Sequence, residues 1–401
     1  MSLKHDLLLT RGHVIDPSQD IDGVCDVGIR DGKITAVGPG LDSSEATETL
    51  DVQGKYVCPG LIDLHGHWYE GSAFGIDPHM CLNTGVTTAV DAGTTGFINF
   101  PDFRRRTIDT ADVQILAFVH VSCLGIPSIL LGELEDARYA RPVETASMIE
   151  KHRDVTVGVK IRVGIPSGKN GLELVDSALS AARSANVPLM IHASDHTETP
   201  KVLDKMGPGD ILTHCYKDRS NGPCIITAEG RLRKETIAAR KRGVVFDVGH
   251  GRGSFSWETA LRAFEESFYP DTLSTDLHRY CVEGPVYDMP TTMSKFFCLG
   301  MSLQEIILKT TWAPAQSIRR ESDIGTLKPG TTADVFVFEI ETGEFEFEDV
   351  FYEKKKGDER VSPFLTIKSG KPVRPGAYDV QLREFEFCDR EFAAVPKKKG
   401  R

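Results

Sequence analysis

The stretch that decides the fold is VCPGLIDLHGHWYEG, from Val57 to Gly71. Its apolar start is typical of a strand entering a core, yet Asp63, His65 and His67 follow at alternate positions. Side chains two residues apart in a strand lie on the same face. The stretch therefore predicts an acid and two imidazoles side by side at a strand end, and imidazoles are good metal ligands. Whether they form a site depends on what other strands bring to the same place.

Apolar, strand-like runs follow one another between residues 61 and 320, and charged helical stretches separate several of them. The eight runs are GLIDLHGH, GVTTAVDAG, VQILAFVHVS, VTVGVKIRV, VPLMIHAS, DILTHCY, GVVFDVGHG and TLSTDLH. Eight buried strands with intervening helices over roughly 260 residues match the usual size of a (β/α)8 barrel. A doubly wound open sheet is the alternative, but no GxGxxG turn follows an early strand. The sequence therefore predicts an α/β fold with a (β/α)8 TIM barrel over residues 61–320.

The two ends of the chain have a different pattern. Residues 1–60 and 321–401 contain short alternating runs, such as CDVGIRDGKITAVG near the start and GTLKPGTTADVFVFEI near the end. Alternation broken by DG or QG turns is typical of β-hairpins. We expect these two end segments to come together as one small β-sandwich beside the barrel.

The composition is that of an ordinary globular protein, with 401 residues and a formal net charge of −11. This charge disfavours a nucleic-acid or anionic-membrane partner, because such partners favour a basic face. The nine cysteines include no CxxC pair, which fits a reducing cytoplasm better than a disulfide framework. No stretch has the pattern of a signal peptide or a membrane span. We expect a soluble cytoplasmic protein, and exposed apolar faces on barrel helices favour a homo-oligomer.

Metal-binding and basic side chains stand at the carboxyl ends of five predicted strands, where a barrel of this kind holds its active site. They are His65 and His67 on the first strand, Lys160 on the fourth, His192 on the fifth, His214 on the sixth and Asp276 on the eighth. Imidazole nitrogen and carboxylate oxygen suit zinc and similar ions. Desolvation lowers the pKa of a buried lysine, so its free amine can add carbon dioxide. The resulting carbamate has two oxygens that could bridge two metal ions.

With these residues the chain resembles the amidohydrolase superfamily. The resemblance rests on GLIDLHGH after a β-rich leader, on GVTTAVDAG, on the other ligand-bearing strands and on the closing GTLKPGTTADVFVF. It spans nearly the whole chain and implies a hydrolase with two divalent metal ions, usually zinc. The implied ligands are His65, His67 and Asp276 for the buried ion, His192 and His214 for the more exposed ion, and N6-carboxylated Lys160 bridging both.

Two carboxylates have roles in this interpretation. The resemblance implies that Asp276 takes a proton from the attacking water and passes it to the leaving group. Asp63 shares a strand with two of the predicted ligands, and we expect it to orient one of them. The reaction class that follows is hydrolysis of an amide or an ester.

The substrate is predicted from a narrower resemblance. DVGHGRGSFSW after the seventh strand and KIR on the fourth resemble a subgroup of deacetylases that is often labelled dihydroorotase. That subgroup removes acetyl groups from N-acetyl amino acids or from O-acetyl hydroxy acids such as acetyl-mandelate. The carboxylate of such substrates suits a fixed guanidinium. Arg162 and Arg252 are the predicted carboxylate ligands, and His250 is a predicted hydrogen-bond donor to the substrate.

Two other functions stay open on the sequence. One is a cyclic amidase of the dihydroorotase or hydantoinase type. Dihydroorotases generally carry an arginine where this chain has Tyr69, and the run STDLHRY differs from the TDHAP-like run of many cyclic amidases. The other is a non-catalytic scaffold, whose sign would be the loss of ligands. All six predicted ligands are present, so we expect an enzyme.

Overall fold

The computed structural model describes residues 3–128, 130–164, 171–193, 198–218 and 225–382, and its strands form two sheets. The strands are β1 (His5–Asp16), β2 (Ile21–Arg30), β3 (Lys33–Gly38), β4 (Ala46–Asp51), β5 (Tyr56–Pro59), β6 (Leu61–Gly66), β7 (Val86–Ala92), β8 (Gln114–His120), β9 (Thr156–Val163), β10 (Leu189–Ala193), β11 (Ile211–Thr213), β12 (Val245–Phe246), β13 (Val335–Glu348), β14 (Lys354–Lys368) and β15 (Lys371–Val373). The described α-helices are α1 (Phe100–Phe103), α2 (Pro142–Lys151), α3 (Gly171–Ser184), α4 (Thr199–Lys205), α5 (Lys234–Lys241), α6 (Trp257–Glu265), α7 (Met289–Phe297), α8 (Leu303–Thr310) and α9 (Trp312–Ser317). Strands alternate with helices in the middle of the chain, whereas its two ends are built mainly of strands.

The middle of the chain forms a seven-stranded parallel sheet in the order β12-β11-β10-β9-β8-β7-β6. Each strand therefore lies beside its neighbour in sequence, the arrangement that crossover helices produce. Both faces of the sheet are buried. One apolar cluster includes Ile62, Phe118 and Met190, and another includes Val119 and Val159 with helix residues. Burial on both faces explains why these strands have almost continuous apolar sequences.

The eighth predicted strand, TLSTDLH, is not a regular strand in the structure. The segment 272–277 instead makes one parallel bridge from Thr272 to Asp247, the residue after β12, and one from Leu277 to Gly66 in β6. Asp276 within it has a left-handed backbone, with φ 49°. This conformation is incompatible with an extended strand, so the segment lies between the two edge strands of the sheet as an irregular link.

The strands from the two chain ends lie together in a second sheet of eight strands. Its order is β15-β14-β13-β5-β1-β2-β3, and β4 pairs with β1. The two ends meet where β13 pairs antiparallel with β5, for example at Val335 and Pro59. One apolar cluster under this sheet draws side chains from both ends, among them Val14, Val27 and Ile367.

The described helices include none that is both long enough and apolar enough to cross a membrane. The seven described cysteines are all free thiols, and Cys58, Cys81, Cys215 and Cys281 among them are buried. Burial raises the pKa of the Cys58 thiol well above its ordinary value. Burial also raises the pKa of Cys81 and Cys281, so these three thiols remain protonated and pack as small apolar side chains.

Candidate metal centre

The side chains predicted as metal ligands lie together at the carboxyl ends of the parallel strands. His65 is in β6 and His67 follows it, Lys160 is in β9, His192 is in β10, His214 follows β11 and Asp276 lies in the segment 272–277. His192 is half-buried, and the other five residues are buried. Parallel strands end at one edge of a sheet, which is why residues far apart in sequence meet there.

Three of these side chains surround one point. Asp276 Oδ1 lies 3.3 Å from His65 Nε2 and 3.1 Å from His67 Nε2. One potential ligand atom from each of the three residues lies within 4.8 Å of the other two. The spacing suits a single cation between them.

The His65 ring is oriented by a hydrogen-bonded chain behind it. His65 Nδ1 lies 2.8 Å from the Thr213 hydroxyl, which donates its proton to Asp247 Oδ2 at 2.7 Å. The hydroxyl has one proton, so it can only accept from the ring. Nδ1 therefore carries the proton of the neutral imidazole, and Nε2 directs a lone pair toward Asp276.

The other rings are held in the same way. His67 Nδ1 lies 2.7 Å from the Thr94 hydroxyl, which donates to Asp91 Oδ2 at 2.7 Å. His214 Nδ1 donates to the carbonyl oxygen of Gly249 at 2.6 Å. In each ring Nε2 is left as the lone-pair atom facing the centre, which is the tautomer that a metal ligand requires.

This donor set fits a metal ion. The Nε2 atom of His67 and the carboxylate oxygen of Asp276 are both hydrogen-bond acceptors, yet they face each other at 3.1 Å. Two acceptors at that distance repel each other unless a cation or a proton lies between them. Burial lowers the pKa of His67 to about 3 and that of His65 well below its ordinary value, so neutral rings do not supply the proton. A divalent cation satisfies all three groups.

Replacing Thr213 with valine tests the hydrogen-bonded chain. Valine has nearly the same shape but cannot accept from His65 Nδ1 or donate to Asp247. Loss of such a partner typically costs about 10- to 100-fold in metal affinity, and we expect a loss in that range. Equilibrium dialysis with a metal chelator measures it, and Thr110→Val at an exposed threonine is the matched control. Equal affinity in the Thr213 variant and the parent protein would contradict this assignment.

Lys160 lies against the same group of three side chains. Its Nζ is 3.4 Å from His65 Nε2 and 3.4 Å from the sulfur of Met190. The residue is 1% exposed, and burial lowers the pKa of its amine from 10.5 to about 7. A large fraction of the amine is therefore unprotonated near neutral pH.

The two remaining histidines form a pair beside this group. His214 Nε2 lies 3.0 Å from His192 Nδ1 and 4.0 Å from Asp276 Oδ2. Burial lowers the pKa of both rings well below the ordinary value. Both nitrogens therefore belong to neutral imidazoles and are spaced for a second cation.

The glycines of the run DVGHGRG have a structural explanation. A Cβ on Gly251 would stand 2.1 Å from Asp276 Oδ2, and one on Gly249 would stand 2.3 Å from Thr213 Oγ1. Both glycines have positive φ, 46° at Gly249 and 50° at Gly251. Only glycine lets the backbone approach the ligands so closely.

The two predicted carboxylate-binding arginines are both near the centre, and both have protein partners. Arg162 Nε and Nη2 donate to the two carboxylate oxygens of Glu133, at 2.7 and 2.8 Å. Arg252 Nη1 donates to the carbonyl of Tyr280 at 3.3 Å and to the hydroxyl of Tyr352 at 3.2 Å.

His250 is not placed as predicted. Its ring is fully buried, with Nδ1 2.9 Å from the Gly251 carbonyl and Nε2 2.8 Å from Lys295 Nζ. Lys295 Nζ also donates to the carbonyls of Pro285 and Glu348. Both ring nitrogens are thus occupied, and His250 braces the glycine run instead of facing a substrate.

Asp63 also differs from the expectation that it orients an imidazole. Its Oδ1 accepts from the amides of Thr275, at 3.0 Å, and His65, at 3.3 Å, and the Thr275 hydroxyl donates to Oδ2. Burial raises the pKa of Asp63 to about 7. The residue therefore fixes the backbone at Thr275, next to Asp276, and at His65.

Several residues of the site were missed by sequence reasoning. They are the ring partners Thr94, Thr213, Asp91 and Asp247, the arginine partner Glu133, and His120 and His278. His278 lies within the quoted run STDLHRY, and its buried ring is centred 6.1 Å from that of His67. His278 stands two residues after the predicted ligand Asp276, and this spacing could have indicated that it belongs to the site. The threonines and acids carry no spacing signal, because their partners come from other strands.

Comparison with known proteins gives a consistent picture. A family model described as the amidohydrolase family matches residues 56–373. The chain is 32% identical over 326 residues to a deacetylase of Agrobacterium fabrum, covering 80% of this chain and 79% of that protein. It is 33% identical over 376 residues to a deacetylase of Enterococcus faecalis, covering 92% and 99%.

Two solved structures share the fold over nearly the whole chain. A crystal structure of an adenine deaminase has a TM-score of 0.85 and 32% identity, and covers 92% of this chain and 100% of its own. A crystal structure of a dihydroorotase has a TM-score of 0.84 and 29% identity, with coverages of 92% and 97%. Three different activities are therefore named among these similar proteins.

Proposed function

The chain belongs to the amidohydrolase family and is a hydrolase, and we propose that it deacylates small carboxylate-bearing substrates. N-acetyl amino acids and O-acetyl hydroxy acids are the proposed classes. The observation that carries the proposal is the buried group of His65, His67 and Asp276, with Lys160 3.4 Å from His65. The relatives named deacetylase support the choice of an acyl group.

The proposed cofactors are two divalent ions, with Zn²⁺ as the first choice. His65, His67 and Asp276 would hold one ion, His192 and His214 the other, and N6-carboxylated Lys160 would join the two. When bound, such a pair lowers the pKa of water from 15.7 to about 7 and polarises a carbonyl oxygen. Neutral, pre-oriented imidazoles support this assignment, because they need not lose protons before they bind a metal.

The protein's own groups supply the proton transfer and the positioning. Asp276 accepts a proton from the attacking water and returns it to the leaving group. Burial raises the pKa of its carboxyl to about 6, close enough to neutrality for both transfers. Arg162 and Arg252 hold the substrate carboxylate, which fixes the acyl carbonyl in the centre.

We also propose that the parallel sheet closes into an eight-fold barrel spanning residues 61–320, with the segment 272–277 in the eighth position. Its bridges to Gly66 in β6 and to Asp247, which directly follows β12, support this closure. Residues 1–60 and 321–401 would form the separate β-sandwich domain. The shared eight-stranded sheet supports that division.

A cyclic amidase is the second candidate, because a dihydroorotase structure has a TM-score of 0.84 with this chain. The position where dihydroorotases generally carry an arginine is occupied by Tyr69, whose hydroxyl donates to Asp102 at 2.9 Å. It offers no cation for a ring carboxylate. This difference favours the deacylase over the ring-opening enzyme.

The test is metal analysis followed by a substrate panel. Zinc-loaded protein with bicarbonate would be assayed against acetylated D- and L-amino acids, acetylated hydroxy acids, dihydroorotate, hydantoin and adenine. We expect two metal ions per chain and fastest turnover of an acetylated carboxylate. Faster turnover of a cyclic amide or of adenine would overturn the substrate assignment. A metal-free protein with no turnover would indicate the non-catalytic scaffold.

Carboxylation of Lys160 should depend on pH in a defined direction. Only the neutral amine adds carbon dioxide, and rising pH increases the neutral fraction through its pKa of about 7. At a fixed concentration of dissolved CO2, the reactivation rate of metal-free protein should rise about tenfold from pH 6 to pH 8. Added zinc and a turnover assay report the rate. A rise that begins only near pH 10 would indicate an ordinary lysine.

We further propose that the protein acts as a cytoplasmic homo-oligomer. Exposed apolar side chains such as Leu131 and Val143, which are 59% and 77% exposed, support association between copies of the chain. Sedimentation velocity measures the oligomeric state, and a monomer at micromolar concentration would contradict it.

A further inference from the structure

Arg162 and Glu133 form a buried ion pair that joins two parts of the centre's rim. Arg162 belongs to β9, and Glu133 lies in the connection between β8 and α2. The Glu133 side chain is 0% exposed and that of Arg162 is 11% exposed. The two oxygens of Glu133 take the Nε and Nη2 protons, which is a side-on, bidentate arrangement. Such a fork fixes the plane of the guanidinium as well as its position.

The side-on pairing leaves the outer edge of the guanidinium available. Arginine has five N–H donors in a fixed plane, and Glu133 takes two of them. The remaining three, on Nη1 and Nη2, have no hydrogen-bond partner among the residues that the structure describes. Arg162 also lies next to the metal-ligand cluster, because it is two residues from Lys160 in β9 and is the strand partner of His192 in β10.

Glu133 is itself held by the residues behind it. The Ser122 hydroxyl donates to the Glu133 carbonyl at 2.7 Å. The amide of Ser122 donates to His120 Nδ1 at 2.9 Å, so the neutral His120 ring carries its proton on Nε2. That atom is buried without a hydrogen-bond partner in the described part of the chain, and it lies 3.8 Å from Glu133 Oε1. A donor thus faces the carboxylate and favours its charged form.

A buried ion pair of this kind adds little net stability, because removing both charges from water costs about as much as their attraction returns. The ion pair instead fixes the orientation of the guanidinium. A guanidinium on a flexible side chain has many orientations, whereas one clamped side-on has a single orientation. The clamp lies next to the centre, where a substrate would need a fixed cation.

We propose that Glu133 is a positioning residue for substrate recognition: it clamps Arg162 side-on so that the outer guanidinium edge receives the substrate carboxylate end-on. The inference deepens the proposed deacylase function and rests on it. Specificity for a carboxylate over a neutral group then depends on Glu133, although Glu133 does not touch the substrate.

The test compares Glu133→Gln with the parent protein on O-acetyl mandelate and on its carboxamide. Glutamine can accept from Nε, but its NH₂ group opposes Nη2, so the fork breaks. Loss of a charge-assisted bond corresponds to about 10- to 100-fold, and we expect KM for the carboxylate to rise by that factor. We expect kcat and the KM for the carboxamide to change less than about twofold. Glu133→Asp, which keeps the charge but shortens the reach, should give an intermediate KM.

Controls separate positioning from folding. Glu150→Gln replaces an exposed glutamate with 55% side-chain exposure and should match the parent. Metal content and melting temperature of each variant are measured alongside. If Glu133→Gln does not fold, the same comparison is made with Glu133→Asp. An unchanged ratio of the two KM values in a folded variant overturns the inference.

A binding measurement distinguishes this inference from the proposed function. Calorimetric titration with mandelate, which cannot be deacylated, reports carboxylate recognition alone. Weaker binding to Glu133→Gln without turnover of any acetylated substrate would support the clamp and overturn the deacylase. Normal turnover with equal mandelate binding in both proteins would leave the deacylase and overturn the clamp. If no acetylated substrate is turned over and mandelate binds equally to the two proteins, the deacylase function and the clamp are both overturned.

Discussion

Replacing Asp276 with asparagine is expected to lower kcat by about 10³- to 10⁴-fold, near the upper end of what a positioned proton carrier contributes. Asparagine has the same shape but cannot accept or deliver a proton, and it would bring no negative charge to the cation that Asp276, His65 and His67 are proposed to hold. Burial raises the pKa of the carboxyl to about 6, so the aspartate is mostly ionised at pH 7 and ready to accept. The measurement is steady-state kinetics with saturating zinc, so that weaker metal binding does not limit the rate.

Two controls accompany this variant. Asp358→Asn changes an exposed aspartate of β14 and should leave kcat unchanged. Metal content by mass spectrometry separates loss of the ion from loss of proton transfer. A variant that keeps its metal ions and more than a tenth of the parent kcat would remove Asp276 from the proton-transfer role.

Replacing Lys160 with methionine is expected to cost the second metal ion and about 10³-fold in kcat. A cation at the reacting group is worth several kcal/mol, and 1.36 kcal/mol corresponds to a tenfold change in rate. Methionine fills a similar volume but cannot add carbon dioxide. The metal-free protein should be at least as stable as the parent, because a buried amine next to an imidazole and a thioether carries a desolvation cost that methionine avoids. Metal analysis, kinetics and thermal melting measure these three effects.

A second variant of the same residue tests the carbamate directly. Lys160→Ala opens space beside His65, and added acetate would supply the carboxylate oxygens that the carbamate provides. Partial recovery of metal content and activity with acetate is the expected result. Recovery in Lys160→Met, where the space is filled, would argue against this explanation. A Lys160→Met protein that binds two metal ions and keeps an unchanged kcat would also argue against a carbamate at Lys160.

The local sequence predicted well which polar side chains stand at the ends of buried strands. The runs around His65, Lys160 and His192 are apolar enough to be buried strands, and a polar side chain at the end of such a run is conspicuous. The structure brings these side chains within a few ångströms of one another, as the Lys160–His65 distance of 3.4 Å illustrates. Their roles as ligands remain a proposal that the variants above test.

The hydrogen-bond partners of Asp63 could not be predicted from the alternating pattern of the stretch that decided the fold. Asp63 and His65 are two residues apart, yet the pairing of β6 with β7 shifts register between Asp63 and Gly66. Asp63 accepts from the amides of Thr275 and His65 instead of from a neighbouring imidazole. A sequence pattern assumes a regular pleat, so it cannot foresee a local register shift.

The sequence alone determined the family, the parallel order of the strands and which residue types stand at their ends. These features depend on local hydrophobicity and on motifs that neighbouring residues carry. Only the tertiary structure decided which polar side chains pair. Glu133 binds the guanidinium of Arg162, and Lys295 hydrogen-bonds to His250. Thr213, itself bound to Asp247, sets the tautomer of His65. Each of these pairings joins residues from separate strands, helices or loops. Burial and distance decide between equivalent polar partners, and a linear pattern contains neither.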